Sequence, residues 1–153
     1  YKQKELECSV YASDHKIGPK IYSTFTIFVS DITNDIAHEY KYIVMSYLKH
    51  YQTLEDIETD VSDEIVDNVA LFIDRCHKLL LVHGDIHERN IMISDDDEVI
   101  LIDYGLASFA GSYEEANEEE RRRHGPRYNF ACRSYYYTEP IISRLWSIQN
   151  YSE

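Results

Sequence analysis

The sequence has 153 residues, of which 44% are apolar, enough material for one domain with a buried core. Its formal net charge of −13 at pH 7 disfavours nucleic-acid phosphate or an anionic membrane as a direct partner. The three cysteines are too scattered for a disulfide framework, and no apolar stretch reaches membrane-spanning length. The sequence therefore predicts a soluble cytoplasmic protein without a nucleic-acid or membrane partner.

The first third of the chain predicts the order helix, strand, strand. Apolar residues recur near helical spacing over residues 2–15, and Gly18-Pro19 supply a stop. Residues 21–29 and 40–48 are rich in β-branched and aromatic residues, which favours two strands joined by a polar turn. A sheet this small leaves an open edge, which predicts either poor solubility or a partner chain that covers the edge.

A long amphipathic helix is predicted after a polar connection over residues 52–60. Either Asp60 or Ser62 can cap its start, because both side chains accept backbone N–H bonds. Its apolar stripe should pack in the core and hold the following loop rigid. The stripe consists of Ile65, Val69, Phe72, Ile73, Cys76, Leu79 and Leu80.

The most informative stretch of the sequence covers residues 79–107. Two apolar runs, residues 91–93 and 99–102, flank the acidic segment 94–98 and predict a β-hairpin. Both runs are apolar on consecutive residues, so we expect both faces of the hairpin to be covered.

Polar side chains gather at the open end of this predicted hairpin. With the turn centred between Asp96 and Asp97, Asn90 and Asp103 should face each other, and Asp85 lies just before them. Amide and carboxylate oxygens suit Mg²⁺, while a separate carboxylate can accept a proton from a hydroxyl. The pattern predicts a phosphoryl-transfer site.

Two motifs in this stretch resemble those of one superfamily. The run H-G-D-I-H-E-R-N from His83, followed by I-D-Y-G from Ile102, resembles the catalytic loop H-R-D-x-x-x-x-N and the metal-binding D-F-G of the protein-kinase-like superfamily. The resemblance implies ATP and Mg²⁺ as cofactors. It also implies that Asp85 and Asn90 are catalytic and that Asn90 and Asp103 bind the metal.

The resemblance extends to the predicted helix and strands, which are similar to helix αC, the two strands that follow it and the hinge. Either Glu5 or Glu7 would then be the αC glutamate. The nucleotide contacts that the resemblance implies are the gatekeeper Met45, Ser46, Leu48, Ile93 and Ile102.

The fold implied is α+β and protein-kinase-like, in two parts. Residues 1–48 would form a partial N-lobe with helix αC, two strands and the hinge. Residues 49–153 would form a short helical C-lobe with the catalytic-loop hairpin, the D-Y-G motif and the activation segment. We expect the chain to lack the Gly-rich loop and the strand lysine of the superfamily.

Two positions in the loop depart from the protein-kinase pattern. Gly84 replaces the arginine before the catalytic aspartate, so a phosphorylated activation segment has no obvious cation there. His87 replaces a lysine, which makes the loop similar to G-D-L-H-x-x-N of aminoglycoside and choline phosphotransferases. In contrast, I-D-Y-G-L-A resembles casein kinases and vaccinia-related kinases, and the loop and hinge resemble the small atypical Ser/Thr kinase of the KEOPS complex.

The resemblance implies transfer of the γ-phosphate of Mg-ATP to a protein Ser/Thr hydroxyl, with an unknown protein as substrate. A small-molecule phosphotransferase and a catalytically incomplete kinase-like binding module are the alternatives. A metallophosphoesterase would need G-D-x-x-D and G-N-H blocks after Asp85, and the 153 residues contain neither. A zinc site at His83 and His87 lacks a third ligand at suitable spacing.

The last part of the chain predicts two helices. The first is short and charged, and we expect it to be solvated; Ser112 and Glu115 form its capping box, and Gly125-Pro126 should end it. The second begins near Pro140 and carries an apolar stripe.

Overall fold

The computed structural model describes residues 2–57 and 61–131. Helices and antiparallel strands alternate along these residues, which confirms the predicted α+β class. The helix predicted near Pro140 lies outside the described residues. The elements are α1 (Lys2–Asp14), β1 (Ile21–Asp31), β2 (Ile36–Met45), β3 (Tyr51–Thr53), a 3₁₀ turn (Leu54–Asp56), α2 (Asp63–Lys78), β4 (Leu81–Val82), β5 (Ile91–Ser94), β6 (Val99–Leu101), β7 (Ser108–Phe109) and α3 (Tyr113–Ala131).

The strands form three small antiparallel sheets: β1 with β2, β3 with β5 and β6, and β4 with β7. The sequence analysis missed β3, β4 and β7, because strands of two or three residues carry no readable periodicity. The strand β2 begins at Ile36, earlier than the predicted residue 40, and ends at Met45, before the connection at residues 46–48. The real turn occupies residues 32–35, where the Asp31 carboxylate accepts the Thr33 N–H at 2.9 Å.

The core lies between α1, α2 and the β5–β6 hairpin. Ser62 caps α2, since its hydroxyl accepts the Ile65 N–H at 3.3 Å. The predicted stripe of α2 is buried or half-buried, but Leu80 lies beyond the helix end and is 38% exposed. Fully or nearly fully buried apolar residues include Cys8, Ala12, Ile17, Val66, Val69, Ile73, Cys76, Leu81, Ile91 and Leu101.

The β1–β2 ribbon stands apart from this core. Its ten residue pairs run from Ile21 with Met45 to Asp31 with Ile36, and almost every residue is exposed. Phe25 and Tyr42 stack on each other with ring centroids 5.0 Å apart, yet both remain more than 40% exposed. The ribbon's main contact with the other described elements is with α1.

The β5–β6 hairpin forms as predicted but in a different register. The Ser94 N–H donates to the Glu98 carbonyl at 2.9 Å, so the loop contains three residues, 95–97. The last of these, Asp97, has φ +61°, the left-handed conformation that usually closes a three-residue hairpin loop. The paired residues are Ile91 with Leu101, Met92 with Ile100 and Ile93 with Val99.

This odd loop length shifts the pairing by one residue. The predicted pairing of Asn90 with Asp103 is therefore wrong. Asn90 lies opposite Ile102, whose N–H donates to the Asn90 carbonyl at 3.0 Å, and Asp103 comes one residue later.

The helix α3 begins as predicted and ends later. The Ser112 hydroxyl accepts the Glu115 N–H at 3.1 Å, while the Glu115 carboxylate accepts the Gly111 N–H at 2.8 Å. The predicted stop at Gly125-Pro126 is wrong, because the backbone stays helical to Ala131. A proline inside a helix removes one backbone hydrogen bond but does not force the helix to end there.

Tyr104 of the D-Y-G motif joins this motif to the end of α1. Its ring is buried and packs edge-on against His83, with centroids 4.9 Å apart, and its hydroxyl donates to the Ile17 carbonyl. Burial raises the pKa of Tyr104 well above its usual value, so the hydroxyl remains a donor.

Replacing Tyr104 by Phe should lower the free energy of unfolding by about 1–3 kcal/mol, because the Ile17 carbonyl is left buried without a partner. The measurement is urea unfolding of wild type and variant. Tyr113→Phe is the matched control: its hydroxyl bonds Asp74, which keeps its ion pair with Lys78 at 2.7 Å, so the loss should be smaller. Equal losses in the two variants would contradict this role of Tyr104.

Candidate active site

The residues between β4 and β5 form a loop, hereafter loop 83–90, that brings two of the predicted site residues, Asp85 and Asn90, together with His87. The Asn90 Nδ2 donates to the Asp85 carbonyl at 2.9 Å and to the Asp85 carboxylate at 3.3 Å. The His87 Nε2 lies 3.6 Å from the same carboxylate and 3.1 Å from the Asn90 Nδ2. Asp85 is half-buried, so its carboxylate has ordered partners and remains accessible.

Asp103 follows the hairpin in a strained conformation. Its φ is +62°, which an aspartate tolerates better than most residues, and its carboxylate accepts the Gly105 N–H at 3.2 Å. The Ile102 to Asn90 backbone bond holds the start of this turn beside loop 83–90. Asp103 is exposed, so its carboxylate is available to a ligand.

Of the two candidate αC glutamates, Glu5 lies at the D-Y-G motif. A Cβ atom added to Gly105 would be 3.7 Å from the Glu5 Oε1 and 3.1 Å from the Asp103 Oδ1. Glu7 is exposed and accepts a bond from the Gln3 side chain at 3.4 Å, within α1 itself. The geometry thus favours Glu5.

The donor set at Asn90 and Asp103 fits a hard divalent cation. The Asn90 Nδ2 is used by Asp85, which leaves its amide oxygen, and Asp103 offers an exposed carboxylate. In the described part of the chain, no group of three or more His, Cys, Asp or Glu side chains could hold a metal ion. Such a two-ligand set suits Mg²⁺, which usually completes its shell with water and phosphate oxygens.

The predicted nucleotide contacts are only partly brought together. Ser46 and Leu48 lie half-buried in the connection after β2, and among the described residues no hydrogen bond uses the Ser46 carbonyl or the Leu48 N–H. Met45 is 48% exposed at the end of the ribbon, and Ile102 is half-buried.

Ile93 does not fit the nucleotide contact predicted for it. It is 4% exposed and packs in the core on the same face of β5 as Ile91. Side chains alternate along a strand, so the half-buried Met92 faces the other way, where a ligand could reach it.

Loop 83–90 is held from behind by Glu120, a residue that the sequence analysis did not single out. Glu120 is fully buried, and its two oxygens accept the N–H groups of His83 at 2.9 Å and Gly84 at 2.8 Å. Gly84 has φ +82°, a conformation that glycine adopts without strain.

Two histidines flank the Glu120 carboxylate. The His77 Nε2 lies 3.3 Å from one oxygen and the His124 Nε2 lies 3.2 Å from the other. Burial alone would raise the pKa of Glu120, but the hydrogen bonds from His124 and His77 outweigh burial and hold the pKa well below its usual value. Glu120 is therefore ionised, which suits an acceptor of two backbone N–H groups.

His83 has the structural role that the sequence analysis gave it. Its Nδ1 accepts the Asp85 N–H at 3.2 Å and its Nε2 donates to the Ile102 carbonyl at 2.8 Å, which defines a neutral ring. Burial lowers the pKa of His83, against the opposing effect of Glu120. The ring thus connects the turn before Asp85 to the residue before Asp103.

Comparison with known proteins identifies the family of this chain. The model of the protein kinase domain matches residues 2–147. The chain belongs to the protein kinase domain family. The family also confirms the protein-kinase-like fold that the motifs implied.

Two curated relatives match parts of this kinase-family chain. The probable serine/threonine-protein kinase PknB of Bifidobacterium longum is 35% identical over 95 residues, which covers 57% of the chain and 13% of that protein. The EKC/KEOPS complex subunit BUD32 of Debaryomyces hansenii is 33% identical over 61 residues, which covers 40% of the chain and 23% of that protein. The chain thus spans less than a quarter of the length of either relative. Over residues 2–57 and 61–131, no helix is long and apolar enough to cross a membrane.

Replacing Glu120 by Gln should destabilise the fold by about 1–3 kcal/mol, because the amide –NH₂ would point at a backbone N–H that the carboxylate now accepts. Thermal or urea unfolding measures the loss. Glu119→Gln is the matched control on the same helix, since Glu119 is bonded to the partly exposed Arg122 and Arg123 and should matter less. A Glu120→Gln protein as stable as the Glu119→Gln protein would refute the role given to Glu120.

Proposed function

We propose that the protein carrying this chain is a kinase that transfers the γ-phosphate of ATP to a Ser or Thr hydroxyl of another protein. The observation that carries the proposal is the joint placement of Asp85, Asn90 and Asp103 at one end of the β5–β6 hairpin. The Asn90 side chain donates to Asp85, and the Asn90 carbonyl accepts the N–H of Ile102, the residue before Asp103. The family supports phosphoryl transfer in general, and the similarity to PknB, a probable serine/threonine-protein kinase, supports Ser/Thr as acceptor.

Asp85 is the residue that we assign as proton acceptor. Asn90 holds its carboxylate through Nδ2, and the His83 Nδ1 holds its backbone N–H, so the carboxylate is oriented before a substrate arrives. As the acceptor oxygen bonds to the γ-phosphorus and the bond to ADP breaks, the hydroxyl proton passes to Asp85.

Asn90 and Asp103 are the residues that would hold Mg²⁺, which supplies positive charge to the phosphate oxygens. Glu120, through the N–H groups of His83 and Gly84, would keep loop 83–90 fixed relative to this pair. Ser46, Leu48 and Ile102 would contact the base, with Met92 in place of Ile93.

A small-molecule hydroxyl is the second candidate acceptor, and His87 favours it. His87 stands 3.6 Å from the Asp85 carboxylate, at the position where the loop resembles aminoglycoside and choline phosphotransferases. The third alternative, a binding module without catalysis, predicts nucleotide affinity without turnover. A cytoplasmic location and a partner chain over the ribbon edge remain predictions.

In the full-length protein, Asp85→Asn should lower kcat by roughly 10²–10⁴-fold, the usual contribution of a general base, and leave ATP affinity nearly unchanged. The assay measures phosphate transfer to a protein substrate, and calorimetry measures ATP binding. Asp96→Asn, on the exposed hairpin turn, is the control and should behave as wild type. Wild-type turnover in Asp85→Asn would exclude Asp85 as the base.

Asp103→Asn should weaken ATP binding by ~10-fold or more when Mg²⁺ is present, because the metal loses its carboxylate ligand. Titrations with and without EDTA separate the metal-dependent part of the affinity. With EDTA the variant and the wild type should bind ATP equally. An unchanged dependence on Mg²⁺ would remove Asp103 from the metal site.

A further inference from the structure

The guanidinium of Arg123, on α3, lies directly against the backbone of loop 83–90. A Cβ atom added to Gly84 would be 2.5 Å from the Arg123 Nη1 and 2.5 Å from the Leu106 carbonyl oxygen. No side chain other than hydrogen fits there while Arg123 is in place. Gly84 therefore provides the space that Arg123 occupies.

Arg123 bonds three residues through separate donors. Its Nη1 donates to the Leu106 carbonyl at 2.7 Å and its Nη2 donates to the Ser108 hydroxyl at 2.5 Å. Its Nε donates to the Glu119 carboxylate at 2.8 Å, which fixes the plane of the guanidinium from its own helix. A guanidinium stays charged at all relevant pH values and presents its donors as a rigid fork, which an ammonium does not.

We infer that Arg123 is a positioning residue for the proposed phosphoryl transfer: it fastens the segment after the D-Y-G motif, residues 106–110, to α3, the helix whose Glu120 holds loop 83–90. Leu106 is three residues after Asp103, and Gly84 is the residue before Asp85. A contact that holds Leu106 against Gly84 thus sets the proposed metal ligand against the proposed base. The contacts of Arg123 do not depend on the proposed function, but their effect on catalysis rests on it.

The contact also removes a need for phosphate on this segment. The acceptors of Arg123 are a backbone carbonyl, a serine hydroxyl and a glutamate of its own helix, all present in the unmodified chain. The segment is further held by the Ala110 N–H bond to the Leu80 carbonyl at 2.9 Å and by the β4–β7 pairing. The unmodified chain therefore contains the contacts that hold residues 106–110.

Amide hydrogen exchange of the full-length protein tests the clamp without relying on activity. In Arg123→Ala, the amides of residues 106–110 should exchange ~10-fold faster or more, as expected from losing hydrogen bonds to a charged group. Arg122→Ala is the matched control, because within the described residues Arg122 bonds Glu119 and its side chain is 70% exposed. Exchange at residues 106–110 in Arg122→Ala should equal that of the wild type. Phosphatase treatment of wild type should leave these rates unchanged.

If Arg123→Ala fails to fold, the amides in the core of α2 will also exchange faster. A second variant tests the inference in that case. Arg123→Lys keeps the charge and most of the aliphatic side chain. A single ammonium cannot reproduce the separate donors of the guanidinium, so exchange at residues 106–110 should still be faster than in the wild type. Rates equal to wild type in Arg123→Lys and Arg123→Ala, or a rise on phosphatase treatment, would overturn the inference.

Turnover separates this inference from the proposed function. If wild type transfers phosphate, Arg123→Ala should lower kcat by ~10-fold with KM for ATP within about twofold, whereas Arg122→Ala should change neither. A wild type without activity would refute the proposed function while the exchange rates still test the clamp. An active wild type with unchanged exchange in both Arg123 variants would refute the clamp alone.

Discussion

The arrangement of the site depends on one buried carboxylate. Glu120 lies within α3 and accepts the N–H groups of His83 and Gly84, so the loop that carries Asp85 has its backbone fixed from behind. A buried charge is costly unless hydrogen bonds surround it, and here two backbone donors and two histidine rings do so. Because both donors are backbone groups, the carboxylate sets the path of the chain and leaves the side chains of the loop available for ligands.

The same helix holds both loop 83–90 and residues 106–110. Side chains three or four residues apart share one face of a helix, and Glu120, Arg123 and His124 follow this spacing. Glu120 accepts the N–H groups of residues 83 and 84, and Arg123 donates to Leu106 and Ser108. The His124 Nε2 lies 3.2 Å from the backbone nitrogen of Ile86. The docking of α3 thus rests largely on polar bonds, with Ala116 the only apolar residue among its buried side chains as far as His124.

The sequence predicted the elements whose signals are local and apolar. The stripe of α2, its Ser62 cap and the β5–β6 hairpin all follow from periodicity and turn chemistry, and the two motifs located Asp85, Asn90 and Asp103. The register of the hairpin was not predictable from the acidic turn, since its loop length depends on the left-handed Asp97. The buried face of α3 was not predicted, because its residues are mostly polar. Only the i,i+4 spacing of Glu120 and His124 hints at a pair.

The two halves of the proposed site are held by interactions of different strength. Asp85 and Asp103 belong to the part fixed by Glu120 and by the His83 ring, both buried. Met45 ends the exposed ribbon, and Ser46 follows it. This end of the ribbon is tied down through the Ser46 N–H bond to the Lys20 carbonyl at 2.8 Å and the Ile21 N–H bond to the Ser13 hydroxyl at 2.8 Å. Regions with few buried apolar contacts open locally at lower free energy than the core. The end of the ribbon that carries Met45 should therefore open locally at lower free energy than the part that carries the proposed base and metal ligands.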